Sequence, residues 1–149
     1  MASYEERAVD PEFATLVRAV VRIPNPQKMR ADDRVGEAEL LDFLVDWVSR
    51  RRIAFESDPA WGIDFIVASR DNGLPGVLLS AHLDSDHLGN GCCETVRIDG
   101  NKLRYEGEVG LDDKTGVAIC LSVVDRLLRG QGPAQYCVHV IFTVGEEAG

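Results

Sequence analysis

Three short segments place histidine and acidic residues next to apolar runs, and their residue types could do chemistry. The first is His82-Leu83-Asp84, directly after the apolar run 77–81. In an extended segment His82 and Asp84 point to the same side, so the carboxylate could accept a hydrogen bond from the imidazole N–H. That bond would fix the tautomer and leave the other ring nitrogen for a metal. A hydrogen-bonded surface loop is the alternative interpretation.

The second segment is Gly-Leu-Asp-Asp-Lys-Thr-Gly at residues 110–116. Two adjacent carboxylates at the start of a helix, Asp112 and Asp113, can cap it and interact favourably with its dipole. Capping accounts for one carboxylate, but it does not require a glycine on both sides. The glycines suggest a tight turn with close backbone approach, so a functional and a structural interpretation both stay open.

The third segment, Gly-Glu-Glu-Ala-Gly at residues 145–149, follows another apolar run. Adjacent glutamates repel each other in a dry site unless a cation is present or one of them is protonated. A metal resolves this conflict, because one glutamate can ligate it while its neighbour takes a proton from water. The alternative is a solvated acidic chain end.

The elements that must position these segments follow from hydrophobic periodicity and from turn residues. Asp10 and Pro11 predict the start of a first helix, and Gly130 predicts the end of a later one. The predicted helices are 11–23, 36–51 and 113–129, and the predicted strands are 53–56, 63–68, 77–81, 96–98, 102–105 and 136–144. The continuous apolar runs 77–81 and 136–144 are typical of strands covered on both faces.

This order of elements predicts an α/β fold. We expect a three-layer sandwich with a mostly parallel or mixed central sheet flanked by helices. Ligands bind such sheets at the carboxyl ends of the strands, which is where the acidic segments lie.

Composition limits the classes of function. The 149 residues carry 25 acidic and 16 basic side chains, a net charge of −9, and 45% are hydrophobic. This composition is that of one globular domain with a core. The negative charge argues against nucleic acid or an anionic membrane as partner, and no apolar run has the length of a membrane span. The N-terminus lacks the pattern of a signal peptide.

Cysteine usage points to a reducing compartment. The four cysteines show no CxxC spacing, and the adjacent pair Cys92-Cys93 cannot easily form a disulfide with each other. We therefore expect a cytoplasmic location.

Taken together and in order, the three segments resemble the co-catalytic zinc metallopeptidases of the peptidase T, carboxypeptidase G and aminoacylase family. Residues 78–84, 110–118 and 142–149 carry the match, and the likeness extends over nearly the whole chain. The Asp-Asp-Lys-x-Gly form is most similar to the peptidase T branch. The resemblance implies a zinc-exopeptidase-like fold that hydrolyses peptide or amide bonds by metal-activated water.

The resemblance also implies a role for each site residue. His82 would bind the first of two zinc ions, with Asp84 behind it, and Asp112 would bridge both ions. The peptide bond after Asp112 is often cis in this family. Glu147 would bind the second zinc, and Glu146 would be the general base. Cobalt or manganese could replace zinc, since oxygen and nitrogen donors accept all three.

By the same resemblance, residues 1–149 are the N-terminal portion of a catalytic domain, without the lid and dimerisation domain and without the C-terminal part. Two further ligands would be missing, and two protein ligands per ion fall short of the three usual for catalytic zinc. We therefore expect weak or absent metal binding and negligible hydrolysis by this polypeptide alone. The substrate of a completed site would be a small peptide or an N-acyl amino acid. The missing elements would pack beside 136–144, so an exposed sheet edge and apolar surface there predict self-association.

Two alternatives remain. The chain could be a non-catalytic remnant or assembly module that keeps the fold without the reaction. Residues 82–87 could also be a variant of the HxHxDH motif of metallo-β-lactamase-like hydrolases, but Asp84 replaces its second histidine and that motif leaves Asp112 and Glu146 unexplained. Other candidate groups match no family ligand and are interpreted as structural: His87, His139 and Cys92-Cys93.

Overall fold

The structure is a computed structural model that describes residues 9–23, 35–67, 76–84, 96–99, 102–105, 111–131 and 136–146. Its helices are α1 (Pro11–Val21), α2 (Val35–Arg50) and α3 (Lys114–Leu128). Its strands are β1 (Phe55–Asp58), β2 (Gly62–Val67), β3 (Gly76–His82), β4 (Val96–Asp99), β5 (Lys102–Tyr105) and β6 (Cys137–Thr143). Within the described ranges, no helix combines the length and apolar character needed to cross a membrane.

The helix ends are set by the residues that the sequence marks. The Asp10 carboxylate caps α1 by accepting the Glu12 N–H at 2.9 Å, and Pro11 occupies the first turn, where its missing N–H costs nothing. At the far end of α3, Gly130 adopts φ = 71°, a conformation that favours glycine and stops the helix. Both predictions are confirmed.

The main sheet is mixed, with strand order β1-β2-β6-β3. β1 pairs with β2 and β2 pairs with β6, both antiparallel, whereas β3 runs parallel to β6. β4 and β5 form the antiparallel hairpin predicted by Asp99-Gly100. The prediction of an exposed sheet edge at 136–144 is wrong, because β6 lies between β2 and β3 and pairs with both. Among the described strands, the edges of the main sheet are β1 and β3.

One face of this sheet carries the hydrophobic core. Alternate side chains of the central strands point to that face and are buried, and they pack with buried residues of the helices in a single cluster. From the strands these are Ile63, Phe65, Val67, Ala81, Val138, Val140 and Phe142, and from α2 and α3 they include Leu40, Leu44, Val48, Val117, Leu121 and Val124. The helix α1 packs mainly against α3.

The other face of the sheet is largely exposed within the described part of the chain. Ile66 is 51% exposed and Leu78 is 61% exposed. The prediction that 77–81 is covered on both faces is therefore wrong for the described residues. An apolar run shows that a strand is hydrophobic, but burial of both faces requires helices on both faces. The described helices cover one face of the sheet. The α/β fold with a mixed sheet is confirmed, with two of the three expected layers among the described residues.

Candidate metal and catalytic site

The parallel pairing of β3 and β6 brings two of the three acidic segments together. His82 lies opposite Thr143 at the carboxyl ends of these strands. Just beyond, the Leu83 N–H donates to the Thr143 carbonyl at 2.8 Å. The chain therefore leaves β3 and β6 at the same end of the sheet, and Asp84 and Glu146 follow there.

His82 is the centre of the site. Its side chain is 14% exposed, and its Nδ1 lies 3.0 Å from the main-chain carbonyl oxygen of Asp84. The Nδ1–H can donate to that carbonyl, which leaves Nε2 facing the carboxylates of the other segments. Nε2 lies 3.3 Å from Asp112 Oδ1 and 4.0 Å from Glu146 Oε2.

The contact between His82 and Asp84 differs from the predicted one. Asp84 Oδ1 is 3.6 Å from Nδ1, which is longer than a hydrogen bond, and the main-chain carbonyl accepts instead. The reason is that β3 ends at His82, so the extended geometry behind the prediction stops there. The buried Asp84 carboxylate instead accepts the Glu146 N–H at 3.1 Å and ties the two strand ends together.

The two adjacent aspartates, Asp112 and Asp113, make different contacts. Asp113 caps α3 by accepting the Gly116 N–H at 2.9 Å, whereas Asp112 faces His82 with a side chain that is 74% exposed. The peptide bond between them is cis, as the resemblance implies. A Cβ on Gly116 would lie 2.2 Å from Asp113 Oδ1, so the glycine gives the cap its room. The buried Lys114 Nζ donates to the Ile23 carbonyl next to the end of α1, a contact that the sequence did not predict.

Glu146 follows Gly145, whose φ of 81° makes the turn out of β6. Its side chain is 61% exposed, with Oε2 directed toward His82. Glu147, the predicted ligand of the second zinc, lies outside the described residues, as do His87 and Cys92-Cys93.

His139 lies in the middle of β6 on the exposed face of the sheet, away from the strand ends that carry the site. Its Nε2 is 3.3 Å from Asp64 Oδ2 on β2. This cross-strand contact agrees with the structural interpretation of His139.

Electrostatics favour positive charge at His82. Burial of the ring opposes its charged form, but hydrogen bonding to the Asp84 carbonyl and the negative charges of Asp84, Asp113 and Glu146 outweigh it and raise the pKa of His82. A neutral His82 with its proton on Nδ1 presents a lone pair to the lone pairs of Asp112 Oδ1. Two acceptors at 3.3 Å need a proton or a cation between them.

Zinc fits the two donors that face each other. Donors on one tetrahedral zinc, with bonds of about 2.0–2.1 Å, are roughly 3.3 Å apart, and His82 Nε2 and Asp112 Oδ1 have this separation. Across the described ranges, no group of three or more His, Cys, Asp or Glu residues is arranged to hold a metal ion. The described site thus offers a pair of donors.

Solved structures share this fold. Aminoacylhistidine dipeptidase from Vibrio alginolyticus matches with a TM-score of 0.67 and 21% identity over 97% of this chain and 29% of its own. Aminopeptidase PepT from Bacillus cereus matches with a TM-score of 0.75 and 18% identity over 95% of this chain and 38% of its own. Human carnosine dipeptidase 1 matches with a TM-score of 0.70 and 18% identity over 93% of this chain and 33% of its own. The chain has a peptidase fold.

The peptidase fold confirms the predicted likeness to peptidase T at the level of architecture. The chain spans about a third of the length of the solved peptidases that it matches. No family model matches the sequence, and no curated protein matches it. The likeness of this chain to solved peptidases is therefore a likeness of fold.

Proposed function

We propose that this chain carries part of the active site of a dinuclear zinc exopeptidase or amidohydrolase of the peptidase T, carboxypeptidase G and aminoacylase family. The observation that supports this best is the 3.3 Å approach of His82 Nε2 to Asp112 Oδ1, with Glu146 beside them. This approach occurs at the carboxyl ends of β3 and β6, in a fold shared with dipeptidases and aminopeptidases.

Each site residue has a task in this proposal. His82 and Asp112 would hold one zinc ion, and Asp112 and Glu147 would hold the other. When bound, zinc lowers the pKa of water and polarises the scissile carbonyl. Glu146 would be the general base that takes a proton from water and returns it to the leaving amine. Its exposed carboxylate lies 4.0 Å from His82 Nε2. Asp84 fixes the orientation of the His82 ring through its carbonyl and the position of Glu146 through its carboxylate.

The substrate class follows from the neighbours and from the chemistry. Two of the three solved neighbours are dipeptidases and the third is an aminopeptidase, so we propose a small peptide as substrate, with an N-acyl amino acid as the alternative that the same hydrolysis allows. Cobalt or manganese would satisfy the same donors. Cysteine usage supports a cytoplasmic location.

Zinc titration by calorimetry tests the metal site. We expect weak binding by the 149-residue chain and no measurable hydrolysis of a dipeptide or tripeptide, because the proposal gives each ion two protein ligands, fewer than the three usual for catalytic zinc. His82→Ala should lower zinc affinity by at least about tenfold. Loss of a residue that only supports a ligand costs about 10–100-fold in metal affinity, and loss of a direct ligand should cost at least as much. His139→Ala is the matched control, because it removes a histidine from the exposed face of the same sheet and should leave the affinity unchanged.

Glu146→Gln separates the base from the ligands. Because Glu146 does not ligate zinc in this proposal, the variant should bind zinc as the parent chain does. Equal affinities of the parent, His82→Ala and His139→Ala chains would contradict the metal site and favour the remnant or assembly module. Tight binding of two zinc ions with turnover that Glu146→Gln abolishes would confirm the catalytic roles but would show that the expectation of an inactive chain is wrong.

The sequence predicts self-association through 136–144, but β6 is paired on both sides, so we propose that self-association uses β3 instead. This strand lies at an edge of the main sheet as described, and its Val77 and Leu78 side chains are exposed. An edge strand with exposed apolar side chains can pair with a second chain. We expect light scattering after size-exclusion chromatography to give a mass above 16.4 kDa. Leu78→Lys should lower that mass, whereas Leu128→Lys, at an exposed position on α3, should not; a monomeric parent chain would contradict the prediction.

A further inference from the structure

The turn that carries Glu146 is held from two directions. On one side, in the segment that follows β3, the Leu83 N–H donates to the Thr143 carbonyl and the Asp84 carboxylate accepts the Glu146 N–H. On the other side, the Val144 N–H donates to the Trp61 carbonyl at 3.1 Å. The second contact comes from the turn between β1 and β2, residues 58–62, to which the predicted site assigns no role.

This β1–β2 turn is itself closely defined. The Ala60 N–H donates to Asp58 Oδ1 at 2.7 Å, and the Trp61 N–H donates to the Asp58 carbonyl at 3.1 Å. Gly62 then starts β2 with φ = 119°, a value that side chains rarely allow. A Cβ at Gly62 would lie 1.9 Å from the carbonyl oxygen of Phe142, so only glycine lets the turn lie this close to the end of β6.

The location of the turn follows from strand direction. Because β2 is antiparallel to β6, the first residue of β2, Gly62, lies opposite the last residue of β6, Thr143. The β1–β2 turn therefore lies at the same end of the sheet as His82 and Glu146. The Glu146 side chain is 61% exposed, and its main-chain N–H is held by the Asp84 carboxylate.

We propose that the β1–β2 turn positions Glu146, with the Trp61 carbonyl as its contact and Gly62 as the residue that permits this contact. The proposal rests on the proposed role of Glu146 as the general base. Position matters for such a group, since a displacement of about 1 Å can cost on the order of 100-fold in rate. Trp61 and Gly62 are thus positioning residues that act through the backbone of β6.

Native-state hydrogen exchange, followed by NMR on the ¹⁵N-labelled 149-residue chain, tests this without metal or substrate. Gly62→Ala should accelerate exchange of the Val144 and Glu146 amides by at least about tenfold. The Val144 N–H loses the Trp61 carbonyl as its acceptor, and the turn that holds the Glu146 N–H against Asp84 loses one of its two anchors. Gly130→Ala is the matched control: it also places an alanine at positive φ, 71°, but with no atom within 4 Å of the new Cβ. In that variant the amides of Val144 and Glu146 should exchange at the parent rate.

A milder variant covers the case in which Gly62→Ala does not fold. Asp58→Ala removes the exposed carboxylate that accepts the Ala60 N–H. It should accelerate exchange at Val144 and Glu146 but not at Val138, which lies near the opposite end of β6. Asp58→Asn keeps an acceptor and should restore protection. Parent-like exchange at Glu146 in Asp58→Ala would overturn the proposal. The exchange measurement needs no zinc, so its result is independent of the zinc titration that tests the proposed function.

Discussion

Replacing Phe142 by alanine is expected to lower the free energy of unfolding by about 3–5 kcal/mol. Phe142 is fully buried in β6, the strand between β2 and β3, and its ring lies 6.2 Å from that of Phe65 at an interplanar angle of 54°. Truncation removes this tilted ring contact and leaves a cavity where the sheet meets the helices. A loss of this size is a large part of the roughly 5–15 kcal/mol that stabilises a typical domain.

Urea unfolding followed by circular dichroism measures this effect. Ile66→Ala is the matched control, because Ile66 belongs to the same sheet but points to the exposed face. Its cost should stay below about 1 kcal/mol. Similar losses in the two variants would contradict the assignment of the core to one face of the sheet.

Gly116→Ala is expected to destabilise the protein although alanine is the better helix former by about 0.8–1.0 kcal/mol. The new Cβ would lie 2.2 Å from Asp113 Oδ1, the oxygen that accepts the Gly116 N–H. The carboxylate must move away, and the loss of an N-cap costs about 0.5–2 kcal/mol. Because Asp112 directly precedes this cap, the substitution should also weaken zinc binding by about tenfold or more.

A double-mutant cycle isolates the cause. In an Asp113→Ala background the carboxylate is absent, so Gly116→Ala should no longer destabilise and should instead stabilise α3 through its helix propensity. Unfolding of the four chains in urea gives the coupling between the two positions. Additive effects would mean that the contact between Asp113 and residue 116 does not explain the glycine.

Local features of the fold were predictable because their signals lie within a few residues. Asp10 and Pro11 mark the start of α1, and Gly130 marks the end of α3, each through a backbone group that one nearby residue satisfies or a conformation that it allows. Asp99-Gly100 likewise marks the β4–β5 hairpin. Exposure was predicted less well: the apolar run at 77–81 does not reveal that Leu78 lies on an uncovered face at a sheet edge.

The candidate site was predictable as a set of residues and not as a set of contacts. The resemblance of the three segments to zinc peptidases selects His82, Asp112 and Glu146, and the structure places these three side chains together. The resemblance could not predict that the main-chain carbonyl of Asp84 accepts the hydrogen bond from His82, because that contact depends on where β3 ends. It also gave no sign of Trp61, whose contribution is a carbonyl that every residue type has.

The sequence by itself determined the inventory: which side chains could bind a metal or move a proton, which segments form helices and strands, and that the likeness is to zinc peptidases. Only the tertiary structure decided which contacts these side chains make and how the strands are ordered in the sheet. It separates two chemically identical neighbours, turning Asp112 toward His82 and Asp113 onto α3, and it places β6 inside the sheet between β2 and β3. The physical reason is that these outcomes depend on strand register and on hydrogen bonds between segments far apart in the chain, such as Asp84 with Glu146, which no local pattern of residues encodes.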